Sequence, residues 1–149
     1  MVELLLKKGE IVVATARKPE ALADLQAKYP ATQLITAKLD VDNVQQIKDA
    51  FAKAKEAFGR VDVVFNNAGY ATFAETEAHP EADARKLFET NFWGSANTSR
   101  EAVRFFREEN SPSGGFLLVN SSAGGIQAAP GLAYYSAAKH GAYLAVCTF

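Results

Sequence analysis

The sequence is poor in cysteine and histidine and has almost no excess of charge. Its single cysteine, Cys147, excludes an intrachain disulfide and a thiolate metal cluster, and its two histidines lie too far apart for a metal motif. Sixteen Lys and Arg against seventeen Asp and Glu leave a formal charge of -1, which argues against nucleic-acid or anionic-membrane binding. No apolar run approaches the roughly 18 residues of a membrane span, and the opening residues do not resemble a signal peptide. These absences predict a soluble cytoplasmic protein.

Short apolar runs alternate with segments of helical periodicity. A hydrophobic fraction of 48% in 149 residues is ordinary for a globular protein, and we expect residues 1–149 to form one domain. The pattern predicts four buried strands, at 11–15, 33–37, 61–65 and 116–119. It predicts a helix at 43–58, capped by Asn43 and ended by Gly59, and a longer one at 81–109. Continuously apolar strands between helices indicate the α/β class, a parallel sheet with helices on both faces.

Tyr135 and Lys139 stand four residues apart inside a predicted helix. Side chains at i and i+4 share a helix face, so the phenol and the ammonium can lie together. A fixed ammonium stabilises a phenolate, which would let Tyr135 exchange a proton near neutral pH. Tyr134 is the competing phenol, but the residue four positions after it is Ala138, so the spacing selects Tyr135. Taken alone, the same pattern also occurs on ordinary helix surfaces.

Three further polar features lie after predicted strands or inside the long helix. Ser121 and Ser122 follow the fourth strand, Asn66-Asn67-Ala68-Gly69 follows the third, and Asn91 lies in the helix. Small residues at a strand exit let a flat ligand approach the backbone. Each feature also has an ordinary structural explanation: a serine can cap a turn, Asn67 can form one, and Asn91 can be a buried amide with satisfied hydrogen bonds.

Together, in this order and spacing, these motifs resemble the short-chain dehydrogenase/reductase family, specifically its classical branch. The resemblance runs from about residue 3 to residue 141. It implies a Rossmann-like doubly wound parallel sheet and an oxidoreductase that reduces a carbonyl or oxidises an alcohol. By this resemblance, Tyr135 is the general acid or base, and Lys139 holds the nicotinamide ribose and stabilises the phenolate. Ser122, thirteen residues before Tyr135, would bind the substrate oxygen in preference to Ser121, and Asn91 would hold a water in a proton relay.

The resemblance also implies a nicotinamide dinucleotide cofactor. Its adenosine ribose would lie after the first predicted strand, where the sequence has Ala16-Arg17-Lys18 and no carboxylate. A guanidinium there suits a 2′-phosphate, so we expect NADP rather than NAD. The other interpretation is that Arg17 and Lys18 form a solvated turn. The remaining residues that the resemblance assigns to cofactor binding are Asp40, Val41, Asn67, Ala68, Gly69, Tyr135 and Lys139.

The sequence departs from the family pattern at both ends. The glycine-rich turn that receives the pyrophosphate, and the strand before it, are missing, and the chain stops at Phe149 soon after the Tyr135 helix. In the family that strand lies between the strands predicted here at 11–15 and 61–65, so we expect an incomplete sheet with unpaired edges. Our hypothesis is that the sequence is a fragment or a truncated gene model of a longer reductase.

Two alternative functions remain open. One is a catalytically inactive fragment that acts as a binding or interaction module. The other is an extended-branch epimerase, which shares Tyr-x-x-x-Lys but does not account for Asn-Asn-Ala-Gly. For the leading reductase hypothesis we expect a small carbonyl or alcohol substrate of apolar character, because Phe73 lies in the segment 70–80 that faces the substrate in the family. The resemblance also implies a homo-oligomer for the full-length protein.

Overall fold

Strands and helices alternate along the chain in the computed structural model, which describes residues 1–147. The end of the chain, residues 148–149, lies outside the described residues. The strands are β1 (Val12–Ala16), β2 (Leu34–Lys38), β3 (Val63–Asn66) and β4 (Phe116–Val119). The α-helices are α1 (Val2–Lys7), α2 (Ala23–Gln26), α3 (Val44–Phe58), α4 (Glu81–Phe88), α5 (Ser95–Glu108) and α6 (Ala133–Val146). Among the described residues, none of the helices is both long and apolar enough to cross a bilayer.

The four strands form two parallel pairs. β1 pairs with β2, with Val12 opposite Leu34, and β3 pairs with β4, with Val63 opposite Phe116. Within residues 1–147 the two pairs are not hydrogen-bonded to each other. The expectation of parallel pairing and of an incomplete sheet, with β1 and β3 presenting free edges, is therefore confirmed.

The helix α3 begins and ends as its sequence predicts. The side chain of Asn43 accepts hydrogen bonds from the backbone N–H groups of Gln45 and Gln46, at 3.0 and 3.2 Å, which satisfies two of the free donors at the helix start. Gly59 ends the helix with a φ of 79°, a left-handed conformation that glycine adopts without strain. α3 then packs its buried Ile47 and Phe51 against Phe105 of α5.

The two strand pairs are covered differently. Leu6 of α1 packs with Ala14 of β1 and Leu34 of β2, while Val64 and Leu117 pack against the cluster between α3 and α5. The other face of the β3–β4 pair is exposed, contrary to the expectation that helices cover both faces. Because side chains alternate along a strand, a single uncovered face exposes every second residue. The exposed residues on this face are Val63, Phe65, Phe116 and Leu118.

The long helix predicted at 81–109 is interrupted by a π-helical turn, Glu89–Gly94, between α4 and α5. Such turns insert one extra residue and often occur at functional sites. Gly94 lies so close to the segment that follows β2 that a Cβ there would be 2.6 Å from Cγ2 of Val41. The hydroxyl of Thr90 also donates a hydrogen bond of 3.1 Å to Asp42. These contacts hold the exit of β2 against the turn that carries Asn91.

Candidate active site

Tyr135 and Lys139 occupy the face of α6 that packs against residues 120–125. The ammonium of Lys139, a residue only 8% exposed, donates a hydrogen bond of 3.0 Å to the backbone carbonyl of Asn120. The Tyr135 ring lies beside Gly124, where a Cβ would be 3.0 Å from Cε1 of the ring. The segment that leaves β4 therefore contacts both members of the predicted pair.

The two serines after β4 have different surroundings. The Oγ atom of Ser122 accepts a hydrogen bond of 3.1 Å from the Gly124 N–H and lies 3.5 Å from the position of a Gly124 Cβ, on the side of Tyr135. The Oγ atom of Ser121 instead lies beside Gly125, where a Cβ would be 2.8 Å away. Ser122 thus caps the turn at Gly124, the glycine that the Tyr135 ring also contacts.

Asn91 is completely buried and fixes the loop that follows β3. Its Oδ1 accepts a hydrogen bond of 3.0 Å from the Tyr70 N–H, and its Nδ2 donates one of 2.7 Å to the Tyr70 carbonyl. A Cβ at Gly69 would be 2.9 Å from Oδ1 of Asn91 and 3.3 Å from Nζ of Lys139. Asn91 is therefore a buried amide whose side-chain oxygen and nitrogen are both hydrogen-bonded. Because residue 69 is a glycine, the side chains of Asn91 and Lys139 can both lie against its backbone.

Amide side chains join the exits of β3 and β4. Nδ2 of Asn120 donates a hydrogen bond of 2.9 Å to Oδ1 of Asn67. The buried Asn66 donates to the carbonyl of Ser95 at 2.8 Å and to the Ser99 hydroxyl at 3.0 Å, which fixes β3 to α5. Ala68 and Gly69 follow directly. These bonds place the whole Asn-Asn-Ala-Gly stretch next to the segment that holds Lys139.

The exits of the first three strands lie within electrostatic reach of one another. Burial raises the pKa of the Tyr70 phenol, the carboxylates of Asp42 and Asp83 raise it further, and the guanidinium of Arg17 lowers it. Arg17 follows β1, Asp42 follows β2 and Tyr70 follows β3. Arg17 and the catalytic candidates therefore lie along one edge, the carboxyl ends of the strands, where ligands of open α/β sheets bind.

The remaining two predicted cofactor residues take part in local structure at the exit of β2. The Asp40 carboxylate accepts a hydrogen bond of 3.2 Å from the Asp42 N–H, and the Asp40 N–H donates one of 2.9 Å to Gln46. Val41 is buried beneath Gly94. The carboxylate of Asp40 and the backbone of Val41 are the groups left for a ligand.

Asn120 is the residue that sequence reasoning missed. Its carbonyl holds the Lys139 ammonium and its amide holds Asn67, so it connects two of the predicted motifs. The sequence did offer one indication of its importance, because Asn120 directly precedes Ser121 at the end of a predicted strand. With a phenol and a hydroxyl beside Gly124 and an ammonium beside Gly69, the arrangement offers groups that can bind an oxygen atom and transfer a proton to or from it.

The fold is an incomplete one of the Rossmann type, and the chain belongs to the short-chain dehydrogenase family. The model of that family, described as short chain dehydrogenase, matches residues 1–146. The family identification and the incomplete Rossmann-like fold expected from the sequence are thereby confirmed.

Relatives and solved structures agree with this assignment. The chain is 39% identical over 137 residues to Oxidoreductase BOA17 of Botryotinia fuckeliana, an alignment that covers 92% of this chain and 49% of the relative. It matches a short-chain dehydrogenase from Streptomyces avermitilis with a TM-score of 0.86 and 34% identity, over 96% of this chain and 52% of the other. It matches an alcohol dehydrogenase from Thermococcus sibiricus complexed with 5-hydroxy-NADP with a TM-score of 0.87 and 26% identity, over 99% of this chain and 63% of the other. The chain thus spans about half the length of the curated relatives it matches.

Proposed function

We propose that the protein is an NADP(H)-dependent oxidoreductase that reduces a carbonyl or oxidises an alcohol through Tyr135, Lys139, Ser122 and Asn91. The observation that carries the proposal is the convergence of these side chains at two glycines. Tyr135 and Ser122 meet beside Gly124, and Lys139 and Asn91 meet beside Gly69.

Each side chain has a distinct part in the proposed chemistry. Ser122 hydrogen-bonds the substrate oxygen, and Tyr135 gives that oxygen a proton in reduction or removes one in oxidation. The Lys139 ammonium stabilises the phenolate electrostatically. Both polar atoms of the Asn91 side chain bond Tyr70, and each has one further hydrogen-bonding position, the second lone pair of Oδ1 and the second hydrogen of Nδ2, through which Asn91 holds a relay water. The cofactor, when bound, supplies or accepts the hydride, and the protein contributes positioning and electrostatics.

The residues present suit the two ends of a nicotinamide dinucleotide. At one end, glycine at 69 leaves free the space next to the Lys139 ammonium that a Cβ would fill. At the other, Arg17 is exposed and Ala16-Arg17-Lys18 contains no carboxylate to repel a 2′-phosphate, which supports NADP over NAD. The Thermococcus sibiricus structure, which contains 5-hydroxy-NADP, lends further support. The glycine-rich pyrophosphate turn is not part of this sequence, so the chain would bind the cofactor through these end groups.

The remaining expectations stay predictions. We propose a small carbonyl or alcohol substrate of apolar character, on the strength of the exposed Phe73 ring in the loop after β3. One domain, a cytoplasmic location and a homo-oligomer of the full-length protein also stay predictions.

The test is a fluorescence titration of the 149-residue chain with NADPH, followed by addition of a small ketone. We expect saturable binding that Lys139→Met weakens at least about ten-fold, equivalent to one lost charge-assisted contact. Lys28→Met, at an exposed position two residues after α2, serves as the matched control and should bind normally. If the folded chain fails to bind NADPH, the catalytically inactive binding module is the better description.

A further inference from the structure

The ammonium of Lys139 is a buried charge without a carboxylate partner. Within residues 1–147 the Lys139 side chain forms no ion pair. A buried charge that lacks a counter-ion depends on the polar groups that surround it. Here Nζ donates its hydrogen bond of 3.0 Å to the backbone carbonyl of Asn120. The position of that carbonyl therefore bears directly on where the ammonium lies.

The segment after β4 contacts the Lys139 side chain at both of its ends. At the base of the side chain, a Cβ at Gly125 would be 3.4 Å from Cβ and 3.4 Å from the carbonyl oxygen of Lys139. At the tip, Nζ meets the Asn120 carbonyl on one side and lies 3.3 Å from the position of a Gly69 Cβ on another. A lysine stem of four carbons is flexible, so contacts at its base and its tip remove much of its freedom.

Asn120 is itself fastened to the exit of β3 by two hydrogen bonds. Its N–H donates one of 2.9 Å to the carbonyl of Asn66, which extends the pairing of β3 with β4 by one residue. Its side-chain Nδ2 donates the other, also of 2.9 Å, to Oδ1 of Asn67. Only the second bond depends on the identity of the side chains. Both amide side chains are exposed, so each can be replaced without opening the core.

We propose that Asn120 is a positioning residue for Lys139. Its side-chain bond to Asn67 fixes the backbone carbonyl that receives the ammonium. An ammonium has three N–H donors, so one bond to this carbonyl anchors the group and leaves two donors for a ligand. The inference rests on the proposed function, in which Lys139 contacts the nicotinamide ribose and the phenolate. It adds the residue that sets the position of the ammonium before the cofactor binds.

The first test measures the exchange of the Lys139 ammonium protons with water, by NMR of the chain labelled with isotopic lysine. Lys139→Met identifies the signal. Asn120→Ala and Asn67→Ala should each accelerate exchange at least about three-fold, the loss of one ordinary hydrogen bond. The double variant should be no faster than either single variant, because both substitutions break the same bond.

Two further variants separate this bond from a general effect of substitution. Asn120→Asp should not accelerate exchange, because its carboxylate can accept a hydrogen bond from the amide of Asn67. Gln127→Ala, at an exposed position in the same segment, is the matched control and should leave the Lys139 signal unchanged. Unchanged exchange in Asn120→Ala, or effects that add in the double variant, would overturn the inference.

The second test asks whether Asn120 acts through Lys139. Asn120→Ala should weaken NADPH binding about three-fold in the unmodified chain, but less than about 1.5-fold in Lys139→Met, where there is no ammonium to position. An equal loss in both backgrounds would mean that Asn120 affects the cofactor by another route, which refutes the inference. The exchange measurement needs no NADPH. A chain that fails to bind NADPH therefore contradicts the proposed function, while the exchange rates still decide the role of Asn120.

Discussion

Replacing Asn91 with leucine should destabilise the protein markedly. Leucine has a similar volume but removes both hydrogen bonds to the backbone of Tyr70, at 3.0 and 2.7 Å. A buried group left without a partner costs roughly 1–3 kcal/mol, and two groups lose theirs. Because Tyr70 is 37% exposed, water can partly replace the lost bonds, which favours the lower half of that range. We therefore expect a loss of about 2–4 kcal/mol, a large part of the ~5–15 kcal/mol of a typical domain.

The assay is urea unfolding followed by circular dichroism, with the exchange rate of the Tyr70 amide as a local probe. Asn97→Leu is the matched control, because Asn97 lies half-buried on α5 and accepts a hydrogen bond of 3.1 Å from the exposed Arg100. That variant should stay within about 0.5 kcal/mol of the unmodified chain. If Asn91→Leu is no less stable than Asn97→Leu, the amide does not hold the loop and the reasoning fails.

Three further predictions concern catalysis, cofactor choice and pH. Tyr135→Phe should abolish ketone-dependent NADPH oxidation, at least about 100-fold, while NADPH affinity stays within about two-fold; near-normal turnover would exclude the phenol as the proton donor. Arg17→Ala should weaken NADPH at least about ten-fold and NADH hardly at all, whereas equal losses would mean that Arg17 does not meet the 2′-phosphate. The hydrogen bond from Lys55, followed by that from Arg104, lowers the pKa of Glu109 below its ordinary 4.5, so this contribution to stability is present above pH 4.5 and is lost as the pH falls further. Glu109→Gln should make acid unfolding less steep in that window, and a profile identical to that of the exposed control Glu77→Gln would contradict the assignment.

Local signals predicted the regular elements well. Asn43 and Gly59 act within one turn of their own positions, so the ends of α3 could be identified from residue type alone. The strands were found within about two residues, because alternation of apolar runs with helical periods is also a local property. The π-helical turn and the uncovered face of β3–β4 could not be predicted in this way, since each depends on what a distant segment packs against.

The candidate site also has a part that local sequence predicted and a part that depends on distant contacts. The spacing of Tyr135 and Lys139 was enough to place both on one helix face, and the order of the other motifs identified the family. The preference for Ser122 over Ser121 came from the family resemblance, whereas the double role of Asn120 emerged only when β4 and α6 were brought together.

By itself, the sequence determined the periodicities, the caps and the chemical groups available, because these depend on neighbours a few residues away. Only the tertiary structure decided which of those groups meet. The contact of Phe73 with Gly131 joins residues 58 positions apart, and that of Asn91 with Tyr70 joins residues 21 apart. Such contacts form when packing brings distant segments together, and no short window of sequence contains both partners.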